Sequence, residues 1–294
     1  MVACPSADGG HGAARNLAWL NGANATAEGI AAILANNYGH FTTMQVRGGA
    51  VRGLDLHLQR LEDASMELFG AALPRRRILE ALQHASQGTG EDGCTLRVTV
   101  ASPDLDPGRP RGTCHLDLLV RRAPPAEPGV SPLGLKSFVY QRDLPHLKHV
   151  GTFPLFHRRR LAAAAGHDDA LLVDREGRVS EGTFWNIGFW HGDAVVWPEA
   201  PALRGTCECL LKAGLEALGV AQASRPVALA DIAAFEGAFA CNSRGVQPVG
   251  RIDGLAWAAR PGHLELLQEA LAKAEWVSIE GGTGSSLGPA AALQ

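Results

Sequence analysis

The sequence predicts an α+β protein of two lobes. Two observations carry this reading: one proline-rich break near the middle, and on both sides of it alternating strands with turn signals beside helices of 3.6-residue period. The break is Arg122-Ala-Pro-Pro-Ala-Glu-Pro-Gly-Val-Ser-Pro132. Proline removes a backbone donor and disfavours helix in the residue before it, so residues 122–132 read as an extended interdomain linker. It splits the 294 residues into a small N-terminal domain at 17–121 and a larger strand-rich domain at 133–275. A domain size of roughly 150 residues gives the same count. Residues 1–16 are small and polar and are expected to be a flexible N-terminus. Residues 276–294, containing Glu280-Gly-Gly-Thr-Gly-Ser-Ser, are expected to be a flexible tail.

In the first lobe a strand is expected at Leu17–Leu20, followed by a Gly/Asn/Ala-rich stretch with no clear pattern. A hairpin follows, Phe41–Val46 turning through Arg47-Gly48-Gly49 into Ala50–Val51. Leu54, Leu58, Leu61 and Leu68 are spaced to line one face of a helix that starts near Gly53. A second helix begins after Pro74 and carries Ile78, Leu79 and Leu82. Strands at Thr95–Ala101 and Thr113–Val120 complete an antiparallel sheet. The second lobe opens with a strand at Leu135–Tyr140 and a helix at Phe153–Ala165 that stops at Gly166. Short strands follow at Ala170–Val173, Arg178–Ser180, Phe184–Trp190 and Ala194–Trp197, with turns at 174–177 and 191–193. A helix runs from Gly205 to about Leu218, a short helix spans Leu229–Phe235, a strand spans Ala238–Cys241, and Pro261–Ala274 is a closing helix.

Composition excludes several classes. Hydrophobic residues make up 46 % and charged residues 19 %, and 27 basic against 30 acidic side chains leave a net charge of −3. That balance, with no basic stripe, argues against a nucleic-acid partner. No run approaches the ~20 apolar residues of a membrane span. No basic stretch followed by an apolar core opens the chain, so a cytoplasmic location is expected. The six cysteines, Cys4, Cys94, Cys114, Cys207, Cys209 and Cys241, form no CxxC pair. They read as reduced thiols, and no metal site is expected.

Taken singly, the polar residues admit two readings each. Lys148, in Leu147-Lys-His-Val150, is either a lysine in a dry pocket, lowered in pKa and nucleophilic toward carbonyls, or one snorkelling at an element end. Glu181, where a strand enters a sheet, must be edge-exposed or paired with a cation. Arg60 shares a helix face with His57 and is either a surface arginine or a phosphate clamp. Gly205-Thr206 opens a helix whose free N–H groups are either capped or hold an anion. Asn242 and Ser243, ending a strand, serve the same anion or make a turn.

The ordered set is more specific. Leu147-Lys-His, the run Asp169-Ala-Leu-Leu-Val-Asp-Arg-Glu-Gly-Arg-Val-Ser-Glu-Gly182 and Asn186-Ile187 resemble the class IV aminotransferases, the fold-type IV pyridoxal-phosphate enzymes. Phe41-Thr-Thr-Met and His57-Leu-Gln-Arg-Leu61 upstream agree, as do Asn242-Ser-Arg-Gly-Val-Gln-Pro-Val249 and Ile252-Asp-Gly254 downstream, over about residues 17–270. The resemblance implies a two-lobed fold with pyridoxal 5'-phosphate between the lobes, and a homodimer. It implies that Lys148 holds the cofactor as a Schiff base and shuttles the proton, and that Glu181 keeps the pyridine nitrogen protonated. It places Arg60, Thr206, Cys207, Asn242 and Ser243 at the phosphate.

The chain also departs from the family. Gly151-Thr152-Phe153 stands where many members carry Asn followed by Arg or Tyr. Tyr38-Gly39-His40-Phe41 shortens the usual segment before the hairpin, which makes His40 either a substrate contact or a plain loop histidine. Gly205-Thr-Cys-Glu208 replaces the usual Gly-Ile-Thr-Arg. Thr42 or Thr43 is expected to face the substrate. The expected activity is an aminotransferase working on an amino donor and a keto acceptor. The alternatives are a 4-amino-4-deoxychorismate lyase releasing pyruvate and 4-aminobenzoate, and a non-catalytic cofactor-binding member.

Overall fold

The computed structural model describes residues 17–106, 108, 114–258 and 260–280. Most of the expected flexible ends, 1–16 and 281–294, therefore lie outside the described residues. Strand β1 (Leu17–Leu20) turns into the two-residue β2 (Ala23–Asn24), and α1 (Ala27–Ala35) follows in the stretch that carried no pattern. Its start is set by the Thr26 hydroxyl, which accepts from the Gly29 N–H at 3.1 Å. Next come β3 (Gly39–Arg47), β4 (Ala50–Arg52), α2 (Leu54–Phe69), α3 (Arg75–Ser86), β5 (Cys94–Ala101) and β6 (Asp117–Ala123). The chain continues through β7 (Leu133–Val139), α4 (Phe153–Ala164), β8 (Asp169–Val173), β9 (Val179–Gly182), β10 (Asn186–His191) and β11 (Ala194–Pro198). It ends with α5 (Thr206–Ala217), β12 (Gln222–Arg225), a 3₁₀ helix at Leu229–Ala234, β13 (Gly237–Asn242), β14 (Gly245–Ile252), β15 (Leu255–Ala256), α6 (Pro261–Ala272) and β16 (Trp276–Ser278).

These strands form two sheets. The first is antiparallel, in the order β16-β4-β3-β5-β6-β1-β2. One of its faces is dry: Met44, Val46, Leu96, Val98, Leu118 and Val120 pack under α2 and α3 through Leu54, Leu58, Leu61, Ile78, Leu79 and Leu82. Leu68, expected on that face, is only half-buried, because it falls in the last turn of α2 beyond the core contacts. The second sheet is mixed, in the order β12-β11-β10-β13-β14-β7-β8-β9, with β15 paired to β14. Both of its faces are covered. Ile187, Phe189, Ala238 and Ala240 point one way, while Trp190, Phe239 and Cys241 point the other, against Leu211 and Leu215 of α5 and Leu267 of α6.

Several boundaries differ from expectation, among them the strand expected from Thr113, which begins at Asp117. Strand β6 runs two residues into the segment expected as a linker, because Arg122 and Ala123 still pair with Leu96 and Thr95, and only Pro124 cannot extend the ladder. The strand expected from Phe184 begins at Asn186. Thr183 and Trp185 are instead held off the sheet by the buried Asp169 carboxylate, which accepts from the Thr183 hydroxyl at 2.6 Å and the Trp185 indole at 3.1 Å. The stretch from 276, expected as flexible, starts as β16 on the edge of β4, with Ile279 buried in the first core and its N–H donating to Gly49 at 3.0 Å. Finally, β14 carries no strand signal because Pro248 interrupts it; the pairing with β7 shifts register just beyond, between Val249 and Arg251.

Candidate active site

The other face of the first sheet is covered by α1 only at one end, where Ile33 packs on Ala101 and Leu119. Side chains alternate along a strand, so Phe41, Thr43 and Gln45 of β3 and Thr95 and Arg97 of β5 share this face. It forms one wall of a cavity of about 320 Å³. The opposite wall is Thr183–Asn186, Leu203, Gly205–Cys207 and the β13–β14 turn Asn242–Arg244, with Arg60, Arg142, Lys148 and Glu181 reaching in. Of the residues singled out in the sequence, Arg60, Lys148, Glu181, Thr206, Cys207, Asn242, Ser243 and Thr43 meet here.

His40 and Thr42 do not. They lie on the opposite parity of β3 and point under α2, fully buried, His40 against Ser65 at 3.0 Å and Thr42 against His57 at 2.6 Å. Neither lines the cavity, and of the two threonines only Thr43 does. Burial lowers the His40 imidazole to about 4 and, with Arg60 and Lys148 nearby, the His57 imidazole to about 3, so both stay neutral near pH 7.

Lys148 sits between β7 and α4 in a segment stitched to β3. Its carbonyl accepts from the Phe41 N–H, and the Val150 N–H donates to Gly39, each at 2.9 Å. The ammonium lies 5.1 Å from the centre of the Phe41 ring. Burial, then repulsion from Arg60 and Arg142, brings its pKa from 10.5 to about 7; Glu181 opposes the shift. Glu181, at the end of β9, is only 4 % exposed. Burial pushes its carboxyl up to about 7 against the pull of Arg142 and Lys148. The Arg142 guanidinium approaches it at 3.7 Å, donates to the Leu147 carbonyl at 3.1 Å, and keeps its Nε buried without a hydrogen-bond partner.

At the far end of the cavity stands the N-terminus of α5. Its cap residue, Gly205, supplies no side-chain acceptor, which leaves first-turn N–H groups for an incoming anion. A side chain at 205 would collide with the Asn186 carboxamide, which donates to the Leu203 carbonyl at 2.6 Å. Arg60 faces this end and donates to the Arg204 carbonyl at 2.7 Å. The Cys207 thiol is turned toward the Gly245 carbonyl and Cys241, so its backbone is what it offers the cavity. Asn242 closes its own turn by accepting from the Arg244 N–H at 2.9 Å.

Sequence reasoning missed Arg97, Arg142 and Arg244, all on the cavity wall. Arg97 was legible in principle, since the two expected strands place it opposite Thr43. Arg142 and Arg244 stand in irregular segments with no period to place them. Five basic side chains and a single carboxylate, Glu181, therefore line the cavity. Among the described residues no cluster of metal-binding side chains occurs, and no helix is long and apolar enough to cross a membrane.

Two sheets enclose a cavity lined by basic side chains, with a lysine and a buried carboxylate in its wall, an enzyme-like architecture. The sequence model of the family Amino-transferase class IV matches residues 39–252, and the chain belongs to that family. Among solved structures, the chain is similar to a 4-amino-4-deoxychorismate lyase from Pseudomonas aeruginosa: 27 % identity, 87 % of this chain and 98 % of that one, TM-score 0.72. A PLP-bound hypothetical aminotransferase from Mycobacterium tuberculosis is 20 % identical over 87 % and 99 % of the two chains, TM-score 0.72. A branched-chain aminotransferase from Thermoproteus uzoniensis is 17 % identical over 87 % and 94 %, TM-score 0.76. The last two likenesses are of fold alone. None of the curated proteins matches the chain.

Proposed function

We propose that this protein is a pyridoxal-phosphate-dependent aminotransferase that moves an amino group from an amino acid or amine to a keto acid. The observation that carries the reading is one cavity holding a lysine near pKa 7, a buried carboxylate and an open helix N-terminus. Pyridoxal phosphate fits that set: an aldehyde for the amine, a basic ring nitrogen for the carboxyl, and a phosphate for the cations. When bound, it supplies an electron sink for the charge left on a substrate carbon that loses a proton.

This chain's residues would divide the remaining work. Lys148 is half-neutral near pH 7, so it can attack a carbonyl, and afterwards take a proton from the substrate α-carbon and return it elsewhere. Glu181, with a carboxyl near 7, can hold a proton at the ring nitrogen, and Arg142 keeps that carboxyl in place. Arg60, the first-turn N–H groups of Thr206 and Cys207, and the Asn242–Ser243 turn would bind the phosphate. The Phe41 ring lies beside the lysine and covers one side of it. The exposed Phe153, Phe156 and Leu161 of α4 support a homodimer, and free thiols at Cys94, Cys207, Cys209 and Cys241 support a cytoplasmic location.

A second reading, 4-amino-4-deoxychorismate lyase, is favoured by the 27 % identity to the Pseudomonas protein and by the Thr43 hydroxyl on the cavity wall, a donor for a departing group. One spectrum separates the two. Protein mixed with pyridoxal phosphate is expected to develop a visible absorption band, absent in Lys148→Ala. Amino donors should bleach it if the protein is an aminotransferase. A band unmoved by amino acids, with pyruvate released from aminodeoxychorismate, makes it the lyase. A Lys148→Ala protein with full turnover would sink both.

A further inference from the structure

Strand parity gathers a second group of basic side chains beyond the larger cavity. Val46 and Val51 pair across the β3–β4 hairpin and are buried in the first core, so Gln45 and Arg47 on one strand and Arg52 on the other turn to the opposite face. Trp276 of β16 stands directly opposite Arg52, and its ring centre lies 4.7 Å from the guanidinium. These side chains form one wall of a second cavity, of about 150 Å³. Its other wall is the first turn of α5, at Thr206 and Cys207, with the β13–β14 turn that carries Arg244. Arg60, Lys148 and Glu181 line the larger cavity and not this one.

Three guanidinium groups and one carboxylate stand on these walls. The carboxylate, Glu127, is taken by Arg47 at 2.6 Å. Among the described residues the Arg52 and Arg244 guanidinium groups have neither a carboxylate nor a hydrogen-bond acceptor. The Arg52 Nε is buried, and burial lowers the Arg52 pKa, although a guanidinium keeps its proton near pH 7. The Gln45 carboxamide repeats the pattern. Its oxygen accepts from the Thr95 hydroxyl at 2.9 Å and the Ala126 N–H at 3.1 Å, while its nitrogen is buried without an acceptor. A buried donor without an acceptor is costly, and donors gathered round one cavity share one remedy, an anion. A cavity below the ~300 Å³ of a drug-sized ligand site takes one compact group.

We propose that this smaller cavity is a second oxyanion site, which takes one phosphate, free or as the end group of a small ester, between Arg52 of the first lobe and Arg244 of the second. The Gln45 amide is the third donor, and Arg47 adds charge beside it. The bound group clasps the two lobes together next to the helix end assigned to the cofactor. The site stands on these residues alone. The cofactor reading enters only in the choice of loaded protein for the test, where pyridoxal phosphate keeps free phosphate away from Arg60.

The test is a calorimetric titration of inorganic phosphate into the pyridoxal-phosphate-loaded protein, with chloride holding the ionic strength constant. One phosphate per chain is expected, and it should raise the melting temperature because it binds only the folded chain. Arg52→Gln and Arg244→Gln should each weaken binding at least ~10-fold, the scale of one charge-assisted hydrogen bond, and remove most of the thermal gain. Arg244 is exposed, so its variant should fold even where loss of the Arg52–Trp276 contact loosens β16. Arg52→Lys, which keeps the charge but loses the planar fork, should fall between. Glycerol phosphate bound as tightly as inorganic phosphate supports an ester's end group as the occupant, and inorganic phosphate bound alone supports the free ion. No phosphate binding to the loaded protein overturns the proposal, as does binding that either glutamine variant leaves intact. Phosphate binding that depends on Arg52 in a protein that takes up no pyridoxal phosphate would overturn the cofactor reading and leave this one standing.

Discussion

Lys148 is the residue whose chemistry follows most directly from its surroundings. An ordinary lysine is about half-neutral only at pH ~10.4, whereas burial and the arginines around Lys148 bring that midpoint to about 7. Neutral amine is the form that attacks an aldehyde, and it accumulates as pH rises. The rate at which the visible band appears on adding pyridoxal phosphate should therefore climb about tenfold per pH unit below 7 and level off above 8. Glu181 pulls the other way, because its negative charge favours the ammonium. Glu181→Gln should move the midpoint to lower pH. A midpoint left near 10, or one that rises in the variant, would contradict the electrostatics described above. The sequence alone left Lys148 poised between buried and snorkelling, since no local pattern reports which cations gather around a side chain. It offered Thr42 or Thr43 as facing the substrate without choosing, and of the two only Thr43 lines the cavity.

At the scale of elements, the legible pieces were those whose signal is local. The period of Leu54, Leu58 and Leu61, the glycine at 53 and the hairpin turn at 47–49 each specify structure within one or two turns of chain. α1 was missed because it is only nine residues long and its apolar stripe is as short as Ile30 and Ile33, with only the Thr26 cap to mark its start. β14 was missed because Pro248 contradicts a central strand in isolation, and only the register shift beyond it accommodates the residue. The packing of α5 on α6 depends on a glycine in the same way. A Cβ at Gly214 would run into the backbone carbonyl of Ala270, which cannot swing aside as a side chain can. In an exposed helix Gly→Ala stabilises by about 1 kcal/mol. Here the overlap, at about 1–3 kcal/mol, opposes it. Gly214→Ala is expected to lower stability by up to about 2 kcal/mol, read as a fall in the urea midpoint with the slope unchanged. A gain in stability would show that the helices separate at little cost.

Over the whole molecule, bulk charge hid the site. A net charge of −3 gives no hint that one cavity is lined by Arg60, Arg97, Arg142, Lys148 and Arg244 and by a single glutamate. Such a concentration is visible only once strands distant in sequence share a face. The same holds for the chain's path. Composition put everything after 275 in a tail, yet Trp276–Ser278 returns from α6 to the edge of the first sheet, beside β4. There Ile279 fills the first core, the Trp276 ring lies under the Arg52 guanidinium at 4.7 Å, and the Gln83 amide donates to the Ile279 carbonyl at 3.2 Å. Trp276 and Arg52 also line a smaller cavity of about 150 Å³ that shares Thr206, Cys207, Asn242 and Ser243 with the larger one. The last strand thus braces both the first core and the back of the helix end assigned to the phosphate. Two truncations isolate its contribution: a chain ending at Glu280 keeps β16, and one ending at Glu275 lacks it. Emptying the Ile279 site alone costs about 2–5 kcal/mol, so the shorter chain should unfold at a temperature several degrees below the longer. Its affinity for pyridoxal phosphate should fall as well, because Arg52 loses the ring it rests on and the cavity behind the α5 N-terminus opens to water. Equal melting temperatures and equal cofactor affinity for the two chains would mean that β16 merely lies against the sheet.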